Sequence, residues 1–488
     1  MAQICPWQIV AKHLAKKRKV ISMKTQEQML FSRKALSKII IPLVLQGLLS
    51  VAIGMVDSMM VSNKGEDAFA GVSLIGSLDI LLITLFSSIA AGGSVVLAQA
   101  MGRGEQKECC HGAKQLLYIT TLIAASISTT VILLRVPLLR LLFGQVTAAV
   151  MQNALEYFFF IALSFPFLAI YDCIAAVFRA QGESMISLKI SIFMNLLNVA
   201  GNALLIYGID LGAAGAAIAT LVSRIIGSII MIVLCHSKKR YIYLEKLFRY
   251  RPDFKTIRSI LRIGVPNGVE NSMFQLGRLM TASLISSLGT TAISANAAAL
   301  SLANLQYTAG GAIQSTQIAV VGRCVGAEKR DQAKHYAKRL LGVSYLLVFG
   351  VDLLVCLLST PLLRLFSLSA EAFSLGRDLL FFHSAVSVIL WPTAFCLPPA
   401  FRAANDIRFS LVVSTFSMWA FRVALAFLLA PASTSFFGLF TIPGLGMGIF
   451  GVWIAMFIDW AFRAIFFGGR LLGTKWLTKY KSESASDS

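Results

Sequence analysis

Apolar runs of about 20 residues or more recur from one end of the 488-residue chain to the other. Each is long enough to cross the hydrocarbon core of a bilayer. In lipid every backbone N–H and C=O must be satisfied within the spanning structure, so runs of this length are helices. With 57% hydrophobic residues, 14% charged residues and a mean hydropathy of +0.75, the chain is not a string of soluble domains. The runs predict an all-α integral membrane protein with twelve transmembrane helices at 37–62, 70–101, 113–136, 150–178, 184–208, 211–235, 258–287, 291–322, 336–360, 371–402, 408–431 and 445–469. Several exceed the minimum length, which implies tilt or extension beyond the membrane.

The net charge of +21 is placed asymmetrically. Of the 44 Lys and Arg, 35 fall in the tails and in the connections after even-numbered spans, five follow odd-numbered spans, and Arg224, Arg278, Arg422 and Arg463 lie within or at the edges of spans. This is the positive-inside pattern of a multi-pass protein of the cell membrane, with both termini expected in the cytoplasm. The same placement accounts for the positive charge without nucleic acid. The expected organisation is a cytoplasmic tail (1–36), a first lobe (37–235), a basic linker (236–257), a second lobe (258–472) and a second tail (473–488). The linker reads as a solvated topology signal, with contact to anionic headgroups as the alternative. The segment before Met23 lacks the apolar core of a signal peptide, and Met23 would serve as a start as well as Met1. Cys109 and Cys110 fall in a predicted loop, and no Cys or His spacing suits zinc. The five histidines (His13, His111, His236, His335 and His383) are expected in or near tails and loops.

Shifting the chain against itself by 224 residues sets Pro42 on Pro266 and Gly102 on Gly326. It also sets "HGAKQLL" from His111 on "HYAKRLL" from His335, and "LLRVPLLRL" from Leu133 on "LLSTPLLRL" from Leu357. With small gaps, "FRAQGES" at Phe178 answers "FRAANDI" at Phe401. Each copy holds an even number of spans, so the copies share one orientation. They should form two six-helix lobes related by a pseudo-two-fold axis along the membrane normal, with the substrate site between them. "WPTAFCLPP", Trp391 to Pro399, places three prolines in one span and predicts a bend.

Within the spans, Gln46, Ser50, Gly54 and Asp57 recur at helical spacing and draw one polar stripe down the first helix. Ser191, Asn195, Asn198 and Asn202 repeat the device on the fifth. A carboxylate among lipid tails is expensive, so the stripe must face protein or trapped water. Gln46, Ser50 and Asn195 are candidates for a substrate cavity, and Asp172, a second acid of the same lobe, is a further candidate for ion coupling. In the second lobe Glu270 occupies the repeat position of Gln46, and Asp352 sits mid-span. Each is either a second ionisable site or half of an ion pair with Arg278 or Arg422.

With twelve spans in two copies, Asp57 fifteen residues after Pro42, "AQAMGRGE" at Ala98, "FRAQGE" at Phe178 and "NVAGNALLIYGIDLGAAGAAIAT" from Asn198, the chain resembles the multidrug and toxic compound extrusion (MATE) family, nearer its DinF-like branch. The resemblance implies a V-shaped cavity between the lobes. It also implies a monomeric secondary transporter, not an enzyme, that exports small, often cationic, organic compounds in exchange for protons or sodium. No cofactor is implied beyond the coupling ion. The family's first-span aspartate matches Asp57, and its sodium ligands fall on Asn198, Asn202 and Thr220. Asn202 stands where the family has an acid, and Ala175 where it has an Asn, so a sodium ion would meet fewer charged oxygens. The alternatives are a lipid or lipid-linked oligosaccharide flippase and, less well matched, a polytopic enzyme. On the transport reading Asp57 is rarely a bare charge. It carries a proton, a sodium ion or a cationic substrate in turn.

Overall fold

The structure, a computed structural model, describes residues 29–480 apart from 145, 246–250, 367 and 437–439. The alternative starts at Met1 and Met23, most of the first tail and half of the second lie outside the described residues. The first lobe is built from α1 (Arg33–Ser62), α2 (Glu66–Arg103), α3 (Gln106–Phe143), α4 (Ala148–Gln181), α5 (Ser184–Asn202, continued by a π-helical turn Ala203–Gly208) and α6 (Gly212–Cys235). The second holds α7 (Phe254–Ser286), α8 (Thr290–Gly326), α9 (Arg330–Leu357) with the short α10 (Ser359–Arg364), and α11 (Ala370–Cys396) with α12 (Pro398–Ala403). It closes with α13 (Ile407–Ser417), a π-helical stretch Met418–Ala424 leading into α14 (Leu425–Leu429), and α15 (Gly448–Leu472). These make the twelve expected spans. Among the described residues the exception to helix is a two-stranded antiparallel hairpin, β1 (Ser433–Phe436) and β2 (Phe440–Pro443), before α15.

Ten of these spans are apolar enough to cross a membrane by length and composition alone. The other two, α7 and α8, are as long but are diluted by Asn267, Glu270, Asn271, Gln275 and Arg278, and by Asn296, Asn304, Gln306, Gln314 and Gln317. Long helices that carry so many polar groups need protein or water on one side.

Local chemistry sets the helix ends. Thr147 and Ser369 cap α4 and α11, equivalent helices of the two lobes, by accepting from the N–H groups of Val150 and Ala372. Such caps satisfy donors that a helix start leaves free. The predicted bend at the prolines is a break, with α11 ending at Cys396 and α12 starting at Pro398.

The packing repeats. In the first lobe α1 lies on α5, α2 and α3 on α4, and α6 on α4 and α5; in the second α7 lies on α13, α8 and α9 on α11, and α15 on α11 and α14. The lobes meet reciprocally, α2 against α7 and α1 against α8, with α2 and α8 together at the centre. The contact runs from one end to about the middle of these helices. At that end α8 is buried almost continuously from Thr316 to Gly326, as is α2 around Ile89–Ala100, whereas at the other end Phe69, Ile80, Met55 and Met59 are exposed. The lobes therefore close on the side bearing the basic connections and diverge on the other.

Two local expectations are corrected. Cys109 and Cys110 lie in the first turn of α3, with Cys109 fully buried, because the helix starts seven residues before the apolar run. The linker is not simply solvated: Lys238 and Lys239 are exposed, but Ile242 and Leu244 are buried against the first lobe. Arg240 pairs with Glu183 there. At its far end Asp253 caps α7 and bonds His111, and the hydrogen bond from Thr256 in particular holds its carboxyl below the usual range.

Candidate functional site

The first helix carries Asp57 five residues from its end, about 8 Å at the rise of an α-helix. At that depth α5 brings up its row of amides. Asn202 Nδ2 donates to Asp57 Oδ1 at 2.7 Å. Asn198, oriented with its NH2 towards the acid, donates to the two carboxylate oxygens at 2.9 and 3.1 Å, and its own oxygen lies 3.1 Å from Thr220 Oγ1. Thr220 is delivered by α6, whose first turns pack closely because Gly215 meets the α5 backbone at Leu205. So four residues from three helices converge, as the resemblance implied. Asn202 Oδ1 is buried and accepts from no donor. Oxygens of Asp57, Asn202 and Thr220 are thus the atoms able to hold a small cation. Among the described residues no Lys or Arg nitrogen lies within 4.0 Å of Asp57.

Asp172 stands apart from this group. It lies 24 residues, about 36 Å of helix, from the start of α4, near the opposite end of the lobe from Asp57. There Ser87 of α2 donates to its Oδ2 at 2.8 Å.

Most of the other embedded acids are paired with an arginine; Asp352 is not. Asp79 of α2 lies 3.6 Å from Arg224, which also donates to Ser164. Glu270 pairs with Arg402 at 3.2 Å, not with Arg278 or Arg422. Asp352 accepts from Ser387 at 2.5 Å and has no cationic partner among the described residues. Asp459, fully buried on α15, accepts from Arg463 at 2.7 Å and Ser417 at 2.5 Å and lies 4.0 Å from Arg422. Sequence reading passed over Asp79 and Asp459. The i,i+4 spacing of Asp459 and Arg463 was the available signal for the second. His383 is likewise not near a loop: it is buried in α11, 2.9 Å from the Tyr307 hydroxyl, between Trp453 and Trp460.

Between the diverging lobes lies a cavity of about 450 Å³. Val51 and Met55 of α1 form one wall, and Ser301, Asn304, Tyr307 and Thr308 of α8 the other. Of the residues expected to meet substrate, Ser50 is exposed beside this wall, Gln46 is half-buried with Oε1 unpartnered, and Asn195 bonds Ser191 at 3.5 Å. Asp57 lies about 200° round the helix from Met55. One helix thus presents its apolar wall to the cavity and its acid to α5.

The MatE family model matches residues 42–204 and again 266–428, two copies at the 224-residue offset. The chain is 27% identical to the uncharacterized transporter YisQ of Bacillus subtilis, over 90% of this chain and 94% of that protein. It is 24% identical to a probable multidrug resistance protein NorM of Thermotoga maritima, over 88% and 90% of the two chains. Its fold is similar to a solved outward-facing multidrug resistance MATE family transporter of the MOP superfamily, with a TM-score of 0.82, 19% identity, and coverage of 92% and 97%.

Proposed function

The chain belongs to the MatE family, and from that membership we propose that it is a secondary exporter of small organic, chiefly cationic compounds, driven by proton or sodium entry at Asp57. The multidrug resistance relatives support the substrate class. The observation that carries the reading is Asp57 itself: an embedded acid held by two amides, one of them backed by Thr220, with no Lys or Arg nitrogen within 4.0 Å among the described residues. A permanently paired acid is structural, whereas one held only by neutral, rotatable groups is free to exchange its counter-ion.

The amides suit both states. With NH2 groups turned inward they donate to the free carboxylate, and a half-turn about the terminal bond presents oxygens to a bound cation instead. Neutralising Asp57 removes the demand for those donors and loosens α1 from α5. Because the opposite face of α1 walls the cavity, repacking of that helix alters the substrate site. The side bearing the basic connections is cytoplasmic on this reading, and the cavity then opens outward.

Transport in proteoliposomes with pH and sodium gradients imposed independently tests it. One gradient should drive cationic substrate uphill and the other should not. Uphill movement under neither would refute the reading.

A further inference from the structure

A second pocket of about 110 Å³ lies inside the second lobe, where α7, α8, the α11–α12 break, α13 and α15 converge. Three guanidinium groups (Arg402, Arg422 and Arg463) stand at or behind its wall against two carboxylates, Glu270 and Asp459. Arg463 and Arg422 both lie over the Phe274 ring, at 5.6 and 5.2 Å, and Arg463 also over Phe395 at 5.2 Å. Rings moderate the surplus positive charge but do not cancel it, and an uncompensated buried charge is strongly unfavourable.

The pocket also holds donors in waiting. Ser414 and Thr415 line it, and both hydroxyl oxygens are buried with no hydrogen-bond partner. Surplus guanidinium and idle hydroxyls on one small cavity have one complement, a compact oxyanion. A ladder of stacked rings stands between the pocket and the interlobe cavity. Tyr307, on the cavity wall, stacks on Trp391 at 5.5 Å, and Trp391 stacks on Phe395 of the pocket at 5.3 Å.

We infer that this pocket binds the carboxylate of an amphiphilic substrate, between Arg402, Arg463, Ser414 and Thr415, with the aromatic body of the molecule along Phe395 and Trp391. This rests on the exporter reading and refines it: preferred substrates are zwitterions that carry an aryl or alkyl carboxylate besides their cation. Glu270 is the internal stand-in that occupies Arg402 until such a carboxylate arrives.

A matched pair of dyes tests this in the purified full-length protein in nanodiscs. Rhodamine 110 is a zwitterion with a free carboxylate, and rhodamine 123 is its methyl ester. Wild type should bind the acid about tenfold more tightly than the ester, as hydrogen bonds to a charged group warrant. Thr415→Val, which removes only a hydroxyl, and Arg402→Gln should each shrink that preference for the acid over the ester. Glu270→Gln should increase it by freeing Arg402. Equal affinity for the two dyes in wild type, or variants that weaken both dyes alike, would overturn the proposal. Asp57→Asn separates the two readings, since it should keep the acid preference while losing uphill transport.

Discussion

Asp57 is surrounded by groups that accommodate its charge without cancelling it. Asn198 and Asn202 each donate to it, but an amide carries no net charge, and the unpartnered Asn202 Oδ1 shows that the cluster is one donor short. Among the described residues Asp172 and Asp352 likewise have no Lys or Arg nitrogen within 4.0 Å, yet each has a single serine donor. Replacing Asn202 by Asp adds a second charged oxygen next to the first, which raises affinity for a hard cation such as sodium. Uphill transport by Asn202→Asp protein should therefore become markedly more sodium-dependent than wild type in proteoliposomes. An unchanged ion response would place Asn202 outside the coupling site. Helical period put Asp57 on one face of α1 and Asn198 and Asn202 on one face of α5, but that these faces meet, and that Thr220 joins them, was legible only through the family resemblance. The partners of Glu270 and Asp352 were not legible: pairing across helices depends on relative depth and rotation, which periodicity within one helix does not encode. The second-lobe pocket was invisible for the same reason.

At the scale of elements, the repeat reaches into backbone conformation. Gly104 and Glu328, and Gly182 and Asn405, end repeat-related helices with φ of 81°, 58°, 84° and 64°. Glycine adopts this left-handed conformation freely, Asn tolerates it, and Glu does so under strain. Gly182→Ala should therefore destabilise the first lobe by roughly 1 kcal/mol, read as a lowered Tm in detergent, and an unchanged Tm would contradict the cap. The tightest interlobe contact is also glycine on backbone. A Cβ on Gly326 would lie 2.0 Å from the Gln99 carbonyl oxygen, and one on Gly102 would lie 2.2 Å from that of Arg323. Gly326→Ala should cost about 1–3 kcal/mol of this closed arrangement and expose the seam to charged maleimide at a cysteine placed on Ala403. Protection equal to that of the glycine protein would show that the seam is looser than the structure has it. The 224-residue offset announced this pair from the sequence, but only the packing shows that its members touch each other's helices.

Across the whole molecule, the closed end is latched twice by the same rule. Gln99 of α2 donates at 2.9 Å to the carbonyl of Ala403, in the other lobe, and also reaches Asn405. Its repeat partner Arg323, 224 residues on, donates at 2.5 Å to the carbonyl of Ala180. Ala180 and Ala403 are the same position of the "FRA" repeat. A third strap joins Tyr480, beyond the last span, to Arg103 of the first lobe at 2.7 Å. These latches must part for the cavity to face the other way, so Arg323→Ala should shift the resting population towards the inverted state. On the exporter reading proposed above, alternating access would use this closed gate, the cavity walled by α1 and α8, and an exchangeable acid on the back of α1. Uphill transport by purified Asp57→Asn protein tests that account most directly. An amide is nearly isosteric with the acid, so the variant should fold, bind dye and equilibrate it downhill, yet fail to concentrate it under either a pH or a sodium gradient. Uphill pumping by Asp57→Asn at near wild-type rates would contradict the account and make Asp57 a packing residue.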